Sequence, residues 1–355
     1  MNASQAGASA RERGLLERAR GGDEDAFRQL VEPHRGELHA HCYRILGSVH
    51  DADDALQDAL LRAWRGLPRF EGRSSLRSWL YRIATNVCLD VISRRPKRVL
   101  PTDSGSAAGP DDDLGAPLTE SVWLEPYADD QLEDGHASPE ARYERRESVE
   151  LAFIAALQHL PATQRAALLL RDVLGFSTRE AAEVLETTVA SVNGALRRAR
   201  KAVAERLPGQ SQQATLRALG DDGIREIVER YIDAWERGDV DAILAMLAED
   251  ATFTMPPLPT WYRGHDAIRA FLTRFALQDR WRVLPTSANG QLAFAAYAWE
   301  GEQQVYAPLS LDVLTLHGAL ATEVTSFVTP YTHGPARERF TADVFGRFGL
   351  PDRLD

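Results

Sequence analysis

Between Pro101 and Ser138 the chain carries ten acidic residues (Asp103, Asp111, Asp112, Asp113, Glu120, Glu125, Asp129, Asp130, Glu133 and Asp134) and neither lysine nor arginine. They are set among Pro, Gly, Ser and Ala with no sustained apolar period. Such a segment has too little apolar surface to offset the entropy of ordering itself, so 101–138 reads as an acidic flexible linker. It forces the 355 residues to fold as separate bodies, which their number already favours over a single core. The formal net charge is -11, and this one segment supplies nearly all of the excess. The acidity therefore does not exclude nucleic acid as a partner of the remainder.

No run approaches the roughly 18 apolar residues of a membrane helix. The start, MNASQAGASARERG, lacks the apolar stretch of a signal peptide and reads as a flexible N-terminus over 1–22. A cytoplasmic protein without a membrane partner is expected. Cys42 and Cys88 form no CxxC pattern and suit reduced thiols packed as small hydrophobes. His39, His41 and Cys42, with His34 and His50 nearby, cannot converge on one helix face, so neither a metal nor another cofactor is expected.

Two helical blocks flank the linker. In the first, 23–100, Phe27, Leu30, Val31, Leu38, Cys42, Ile45 and Leu46 recur near every 3.6 residues. A further helix turns Ala55, Leu56, Ala59, Leu60, Ala63, Trp64 and Leu67 to one side, with Asp51, Asp54, Gln57, Asp58 and Arg62 on the other, before Pro68. The stretch SLRSWLYRIATNVCLDVISRR mixes aromatics with arginines; Trp79, Leu80 and Ile83 read as core, and Arg77, Arg82, Asn86, Arg94 and Arg95 as outward. The second block, 139–208, contains two helices joined by a tight turn from Ser177 to Lys201, the second capped by Thr187 or Thr188. Val189, Val192, Leu196, Ala199 and Val203 fall on one face and are expected to pack inward. Ser191, Asn193, Gly194, Arg197, Arg198, Arg200 and Lys201 are left largely outward. Small polar residues leading and cations following is what a recognition helix needs to meet base edges and phosphates. A solvated cationic helix end would carry the same charges for dipole reasons. Glu186 stands where many such turns have glycine.

These residues resemble the sigma-70-type initiation factors of bacterial RNA polymerase, in the extracytoplasmic-function group. The resemblance is carried by Gly22-Asp23-Glu24-Asp25-Ala26-Phe27, by Asp51-Ala52-Asp53-Asp54-Ala55-Leu56-Gln57-Asp58, by the run from Phe70 to Asn86, and by the helix-turn-helix. It implies a region 2 helical bundle before the linker and an all-α region 4 after it. It implies that Asp54, Gln57, Asp58 and Arg62 bind the clamp of the largest subunit of core RNA polymerase, although charge alone would also suit a solvated face. It further implies that region 2 reads the promoter's minus-10 element and region 4 its minus-35 element. Phe70 and Asn86 match positions that capture an unstacked base; aromatic stacking and amide hydrogen bonds are how single-stranded bases are held. The run Asn193-Gly194-Ala195-Leu196 departs from the commoner Lys-Ser-Arg-Leu type, so promoter preference does not carry over.

The resemblance implies a spacer of about 17 base pairs between the two elements, which requires roughly 58 Å of reach. A flexible 101–138 averages about 31–37 Å end to end and extends past about 100 Å. Its acid content suits a segment that threads a basic polymerase channel as an RNA mimic, as the family implies, or a solubilising spacer. Val122-Trp123-Leu124-Glu125-Pro126-Tyr127 reads as a short docking element within it.

After a second linker, 209–222, the chain becomes α+β. Ile224, Ile227, Val228, Tyr231, Ile232 and Trp235 make a helical stripe, Asp239 caps another helix, and a third follows Gly264. Strand-like runs follow at 280–287, 291–299, 304–315 and 321–328. The region 223–355 is similar to SnoaL-like domains, cone-shaped α+β folds with an internal pocket. The likeness rests on Tyr231 to Asp239, Ala248 to Phe253 and Tyr262 to Ile268, with Met255 to Tyr262 and Phe345 to Pro351 in support. Trp261, Tyr262, Trp281 and Trp299, with Tyr297 and Tyr306, are candidates to line a ligand pocket, although aromatics at strand spacing also build cores. The pair His265-Asp266 and His317 suggest acid-base chemistry, but neighbours at a helix start point apart, and no catalytic residues are expected.

The leading expectation is a non-enzymatic initiation factor with promoter DNA and core polymerase as partners, its C-terminal domain contacting and regulating the sigma domains. A helix-turn-helix regulator that binds DNA alone, with the last domain as sensor, is the second reading. A SnoaL-type enzyme tethered to a DNA-binding module is the third.

Overall fold

The computed structural model describes residues 3–118, 123–132, 139–329, 338 and 340–355. They divide into two compact units. The first takes the described residues of Met1–Lys97 with Ala156–Arg206, and the second those of Arg98–Glu133, Ala137–Ala155 and Leu207–Asp355.

In the first unit, α1 (Ala3–Arg20) ends at Gly21-Gly22, and α2 (Glu24–Leu46) starts on Asp23, whose carboxylate accepts from the Ala26 N–H at 2.9 Å. Gly47 closes α2 with φ 71°, a left-handed turn that glycine adopts without a Cβ penalty. Ser48 then caps α3 (Val49–Gly66) and Ser75 caps α4 (Leu76–Ile92). Leu38, Cys42, Ile45, Ala59, Leu80 and Cys88 are buried within this bundle. His41 is buried, bonded to Thr85 Oγ1 at 2.9 Å, and burial holds it neutral, its pKa down to about 3. His39 Nε2 instead lies 3.1 Å from Asp53. Among the described residues no three His, Cys, Asp or Glu side chains group as a metal site. Residues 3–20, read from sequence as part of a flexible N-terminus, form α1. Arg20 donates to the Phe70 carbonyl, and Arg18 holds Asp23 at 2.7 Å.

Helix α6 (Leu151–Gln158) follows α5 (Pro139–Glu147), and α7 (Ala162–Leu168) continues as a π-turn, Leu169–Val173. The helix-turn-helix is α8 (Thr178–Val184) and α9 (Val189–Ala204). Within the first unit the Arg165 guanidinium is buried, donating to the Ile45 carbonyl and to Gln158 Oε1 at 2.6 Å. Burial lowers its pKa to about 10.

The second unit is built on a six-stranded sheet. Helix α10 (Gln212–Glu236) breaks at Gly220 and leads through α11 (Val240–Leu244) into β1 (Leu247–Thr254), β2 (Trp261–Arg263), α12 (His265–Arg274), β3 (Trp281–Ala288), β4 (Gln291–Glu300), β5 (Val305–His317) and β6 (Leu320–Val328). The strand order is β2-β1-β6-β5-β4-β3, antiparallel except for β1 beside β6. One core holds Ile227, Tyr231, Trp235, Phe253, Phe271, Phe294, Leu314 and Val324. A second holds alternate strand residues Ala295, Tyr297, Leu311 and Val313 under Leu151 and Phe345. The two cores follow from the strand period of two.

Residues 98–132, expected from 101 onward to be a flexible tether, pack on this sheet as far as they are described. Ala108 bridges to Tyr262 on edge strand β2, its N–H donating to the Trp261 carbonyl at 2.8 Å. Ala128 bridges to Ala288 on the opposite edge strand, β3. Trp123, Leu124 and Tyr127 are buried. The stretch lacks an apolar period because much of it is held through its own backbone groups, with the Gly105 carbonyl accepting from Trp261, that of Leu114 from Thr260 and those of Pro110 and Asp112 from Arg274. Two sheet edges offer unpaired N–H and C=O groups, and pairing them needs no side-chain pattern.

The β3–β4 turn, Asn289-Gly290, has φ of 56° and 69°, the left-handed pair of a tight hairpin. Asn289 exchanges bonds with Tyr127, N–H to carbonyl at 2.8 Å and Oδ1 from the Tyr127 N–H at 2.9 Å, while its Nδ2 donates to the Val149 carbonyl at 2.7 Å. Gln291 Oε1 accepts from the Leu151 N–H at 2.9 Å. One hairpin thus fixes both 127–129 and 149–151. Glu150 caps the start of α10 from the same place, accepting from the Gln213 N–H at 3.0 Å, and burial pushes its carboxyl up to about 7.

Candidate functional site

The outer side of α3 carries Asp54, Gln57, Asp58 and Arg62, the residues expected to bind polymerase. Asp54, Gln57 and Arg62 are exposed and Asp58 is half-buried. Arg62 bridges Asp58 at 2.8 Å and Asp90 at 3.4 Å, and its hydrogen bond to Asp58 is the main cause of a raised pKa. Arg62 and Asp58 are therefore held together on this face rather than standing as independent charges. Leu61, 47% exposed, stands among these polar groups. Sequence reasoning missed it, since a leucine beside the apolar stripe is ordinarily taken as core.

The residues expected to meet the minus-10 element separate. Arg82 and Arg94 are exposed and Asn86 is half-buried on α4. Arg95 reaches back to the buried carboxylate of Asp51. Phe70 differs from the expectation of a stacking platform: it is 8% exposed, and its ring packs on Trp79 at 4.8 Å between centroids. The turn after α3 folds inward and the Arg20 bond holds its backbone. Arg77 is likewise occupied, its guanidinium 4.9 Å from the Tyr81 ring centre and 4.8 Å from that of Phe176, with Glu37 at 3.6 Å.

The helix-turn-helix forms through local capping. Ser177 and Glu180 make a reciprocal box, with Glu180 N–H to Ser177 Oγ at 3.2 Å and Ser177 N–H to Glu180 Oε2 at 2.8 Å. The hydroxyl bond holds the Glu180 carboxyl below its ordinary range. Glu186 takes the turn with φ 50°, a conformation costly for a residue with a Cβ. Of the two threonines, Thr188 is the cap, its Oγ1 accepting from the Ser191 N–H at 3.1 Å. Val192, Leu196, Ala199 and Val203 are buried as expected, but Val189 is 46% exposed. Ser191, Asn193, Arg197, Arg198 and Lys201 are exposed. Arg200 instead closes a two-pronged ion pair on Asp172, Nε to Oδ2 at 2.8 Å and Nη2 to Oδ1 at 2.7 Å, so it braces α9 from behind.

In the second unit a cavity is lined by Ile227, Tyr231, Trp235, Phe253, Leu314 and Val324 among others, with a free volume of about 10 Å³. That is room for about one water. None of the aromatics expected to line a pocket borders it. Trp261 donates to the Gly105 carbonyl at 3.1 Å, Tyr262 stacks on Phe271, Trp281 packs edge-on to Trp235, and Trp299 meets Tyr306 under Arg280. Strand alternation placed them in cores and against neighbouring backbone instead. Tyr231 donates to Asp312 at 2.9 Å, Ser326 also donates to that carboxylate, and burial raises the Asp312 pKa. His265 Nε2 bonds to the Leu247 carbonyl at 3.2 Å.

Comparison with known proteins matches the profile for Sigma-70 region 2 to residues 30–98, that for Sigma-70, region 4 to 150–203, and that for a SnoaL-like domain to 228–348. The chain is 39% identical over 333 residues to the ECF RNA polymerase sigma factor SigG of Mycobacterium tuberculosis, covering 92% of this chain and 85% of that one. It is 29% identical over 194 residues to the ECF RNA polymerase sigma factor SigW of Bacillus subtilis, covering 54% and 94%. The crystal structure of the M. tuberculosis extracytoplasmic function sigma factor SigJ shares the fold, with a TM-score of 0.54 at 22% identity over 91% of this chain and 99% of that one. Two sigma-70 regions flanking an acidic segment, followed by a SnoaL-like cone, make this chain a member of the extracytoplasmic-function RNA polymerase sigma factors.

Proposed function

We propose that the chain binds core RNA polymerase through the α3 face, with Asp54, Gln57, Asp58 and Arg62 at the clamp of the largest subunit. Holoenzyme is then directed to promoters, through Arg82, Asn86 and Arg94 at the minus-10 element and through α9 at the minus-35 element. The observation that carries this reading is α9, a capped helix whose outward side holds Ser191, Asn193, Arg197, Arg198 and Lys201 and no carboxylate. Polar side chains can meet base edges there while cations neutralise phosphates. It acts in the cytoplasm, and no catalytic step is assigned to the cone: the interior carboxyl Asp312 is satisfied by Tyr231 and Ser326.

The C-terminal domain regulates this activity by holding the chain at Ala108 and at Ala128 on its two sheet edges. A tether so held cannot reach across a spacer of roughly 58 Å until it is released. Purified core polymerase with the full chain is expected to give promoter-specific transcripts on a panel of genomic templates. A footprint on duplex DNA without polymerase, with no such transcripts, would point to a stand-alone regulator.

A further inference from the structure

Val189 is the first residue of α9, and it is 46% exposed while Val192, Leu196, Ala199 and Val203 behind it are buried. The helical period assigns it to the same inward face; the core stops short of the helix tip. It is one of four large hydrophobic residues prominently exposed among the described residues, with Leu61, Leu118 and Leu320. A β-branched residue offers the helix no propensity advantage over the polar residues that usually occupy a first turn. The capping bond is made by Thr188, so Val189 is not needed for it either.

The surroundings are of the opposite character. Ser191 and Asn193 lie exposed within the next turn, Arg197, Arg198 and Lys201 follow, and α9 contains no acidic residue. An apolar knob at the leading end of a cationic helix is complementary to duplex DNA. Phosphates meet the cations, and the C5 methyl of thymine is the apolar group that base pairs present in the major groove.

We propose that Val189 is a specificity-determining residue, packing its isopropyl group against a thymine methyl in the element read by α9. The inference rests on the promoter-binding reading above. Asn193 lies one turn further along the helix, and an asparagine amide pairs with adenine N6 and N7. A turn rises about 5.4 Å and base pairs are spaced by about 3.4 Å, so the thymine lies within about two base pairs of the position read by Asn193.

The test uses holoenzyme made from core polymerase and the full chain. Duplexes are selected from a library randomised across the upstream element. Each thymine of the selected sequence is then replaced by deoxyuridine, which removes the methyl alone. One replacement is expected to weaken binding about three- to fivefold, the worth of a buried methyl group. Val189→Ser should bind the thymine and deoxyuridine duplexes equally while keeping its affinity for core, and Val189→Ile should retain the difference. Equal binding of both duplexes by wild type at every thymine overturns the inference, as does a Val189→Ser holoenzyme that still distinguishes them. Loss of core binding in Val189→Ser also overturns it, by assigning the side chain to a protein contact. Selection of no sequence at all refutes the promoter-binding reading itself, and the inference with it.

Discussion

The Arg77 guanidinium lies 4.8 Å from the centre of the Phe176 ring, on a residue of region 2 that sequence assigns to DNA and a residue at the entrance to the helix-turn-helix. Tyr81 completes the arrangement, its ring 5.3 Å from Phe176 and edge-on to it. A cation resting against two aromatic rings contributes about 1 kcal/mol, more where water is excluded. Arg77→Ala is therefore expected to lower the unfolding free energy of the first unit by about 1–2 kcal/mol in urea titrations. An unchanged midpoint would mean that the side chain does not stabilise the closed contact.

Core binding and promoter opening should separate by residue. Asp58→Arg reverses a charge on the α3 face and removes one of the two carboxylate partners of Arg62, and is expected to weaken core binding about tenfold or more. Leu61→Ala should cost about tenfold through lost apolar burial alone. Asn86→Ala should leave core affinity intact while slowing promoter opening. Fluorescence titration with core and permanganate footprinting read the two effects, and equal loss of core affinity in all three would sink the assignment.

The stability of the second unit should depend on pH through Glu150. Its carboxyl, pushed from 4.5 up to about 7 by burial, keeps its proton in the folded state across a range where the unfolded chain has released it. Its contribution is intact below pH 4.5, falls between 4.5 and about 7, and is lost above that, a change on the order of 3 kcal/mol. Glu150→Gln should flatten this slope and unfold later than wild type at pH 8. A parallel slope in the variant would place the titration elsewhere.

Asn289 supports three bonds to segments far away in sequence. Asn289→Ala keeps the backbone N–H bond but loses both amide bonds and places alanine at a left-handed φ, costing about 2–4 kcal/mol. Hydrogen exchange should show amides 123–129 losing protection before those of β4 and β5. Uniform loss across the sheet would indicate global unfolding instead.

Helices α2, α3, α4 and α9 were legible because an apolar repeat near 3.6 runs through each and a side-chain cap, Asp23, Ser48, Ser75 or Thr188, marks where it starts. The long strands β3 to β6 announced themselves by alternation, whereas β1, with Glu249 and Asp250 inside it, and three-residue β2 did not. Helix α1 was hidden by its alanine, arginine and glycine content, which carries no apolar stripe. Phe70 and Val189 were each read by residue type and face, yet burial turned on a loop folding inward in one case and a core ending early in the other. The docking of 98–132 was least visible, since backbone pairing leaves no periodic trace.

The hairpin at Asn289-Gly290 grips 127–129 and 149–151 together, so the boundaries drawn by homology are not the boundaries at which this chain folds. Region 4 by similarity begins at 150, yet Leu151 packs against Ala295, Leu311 and Phe345 of the cone. Cutting the chain near Gln210 would take from Tyr127 its bonds to Asn289 and from Leu151 its apolar cover, and leave their surfaces adhesive. In evolutionary terms the appendage is no detachable module: a lineage that gains or loses it must recombine near residues 97 and 155 as well as near 207, or inherit a sigma factor with sticky ends.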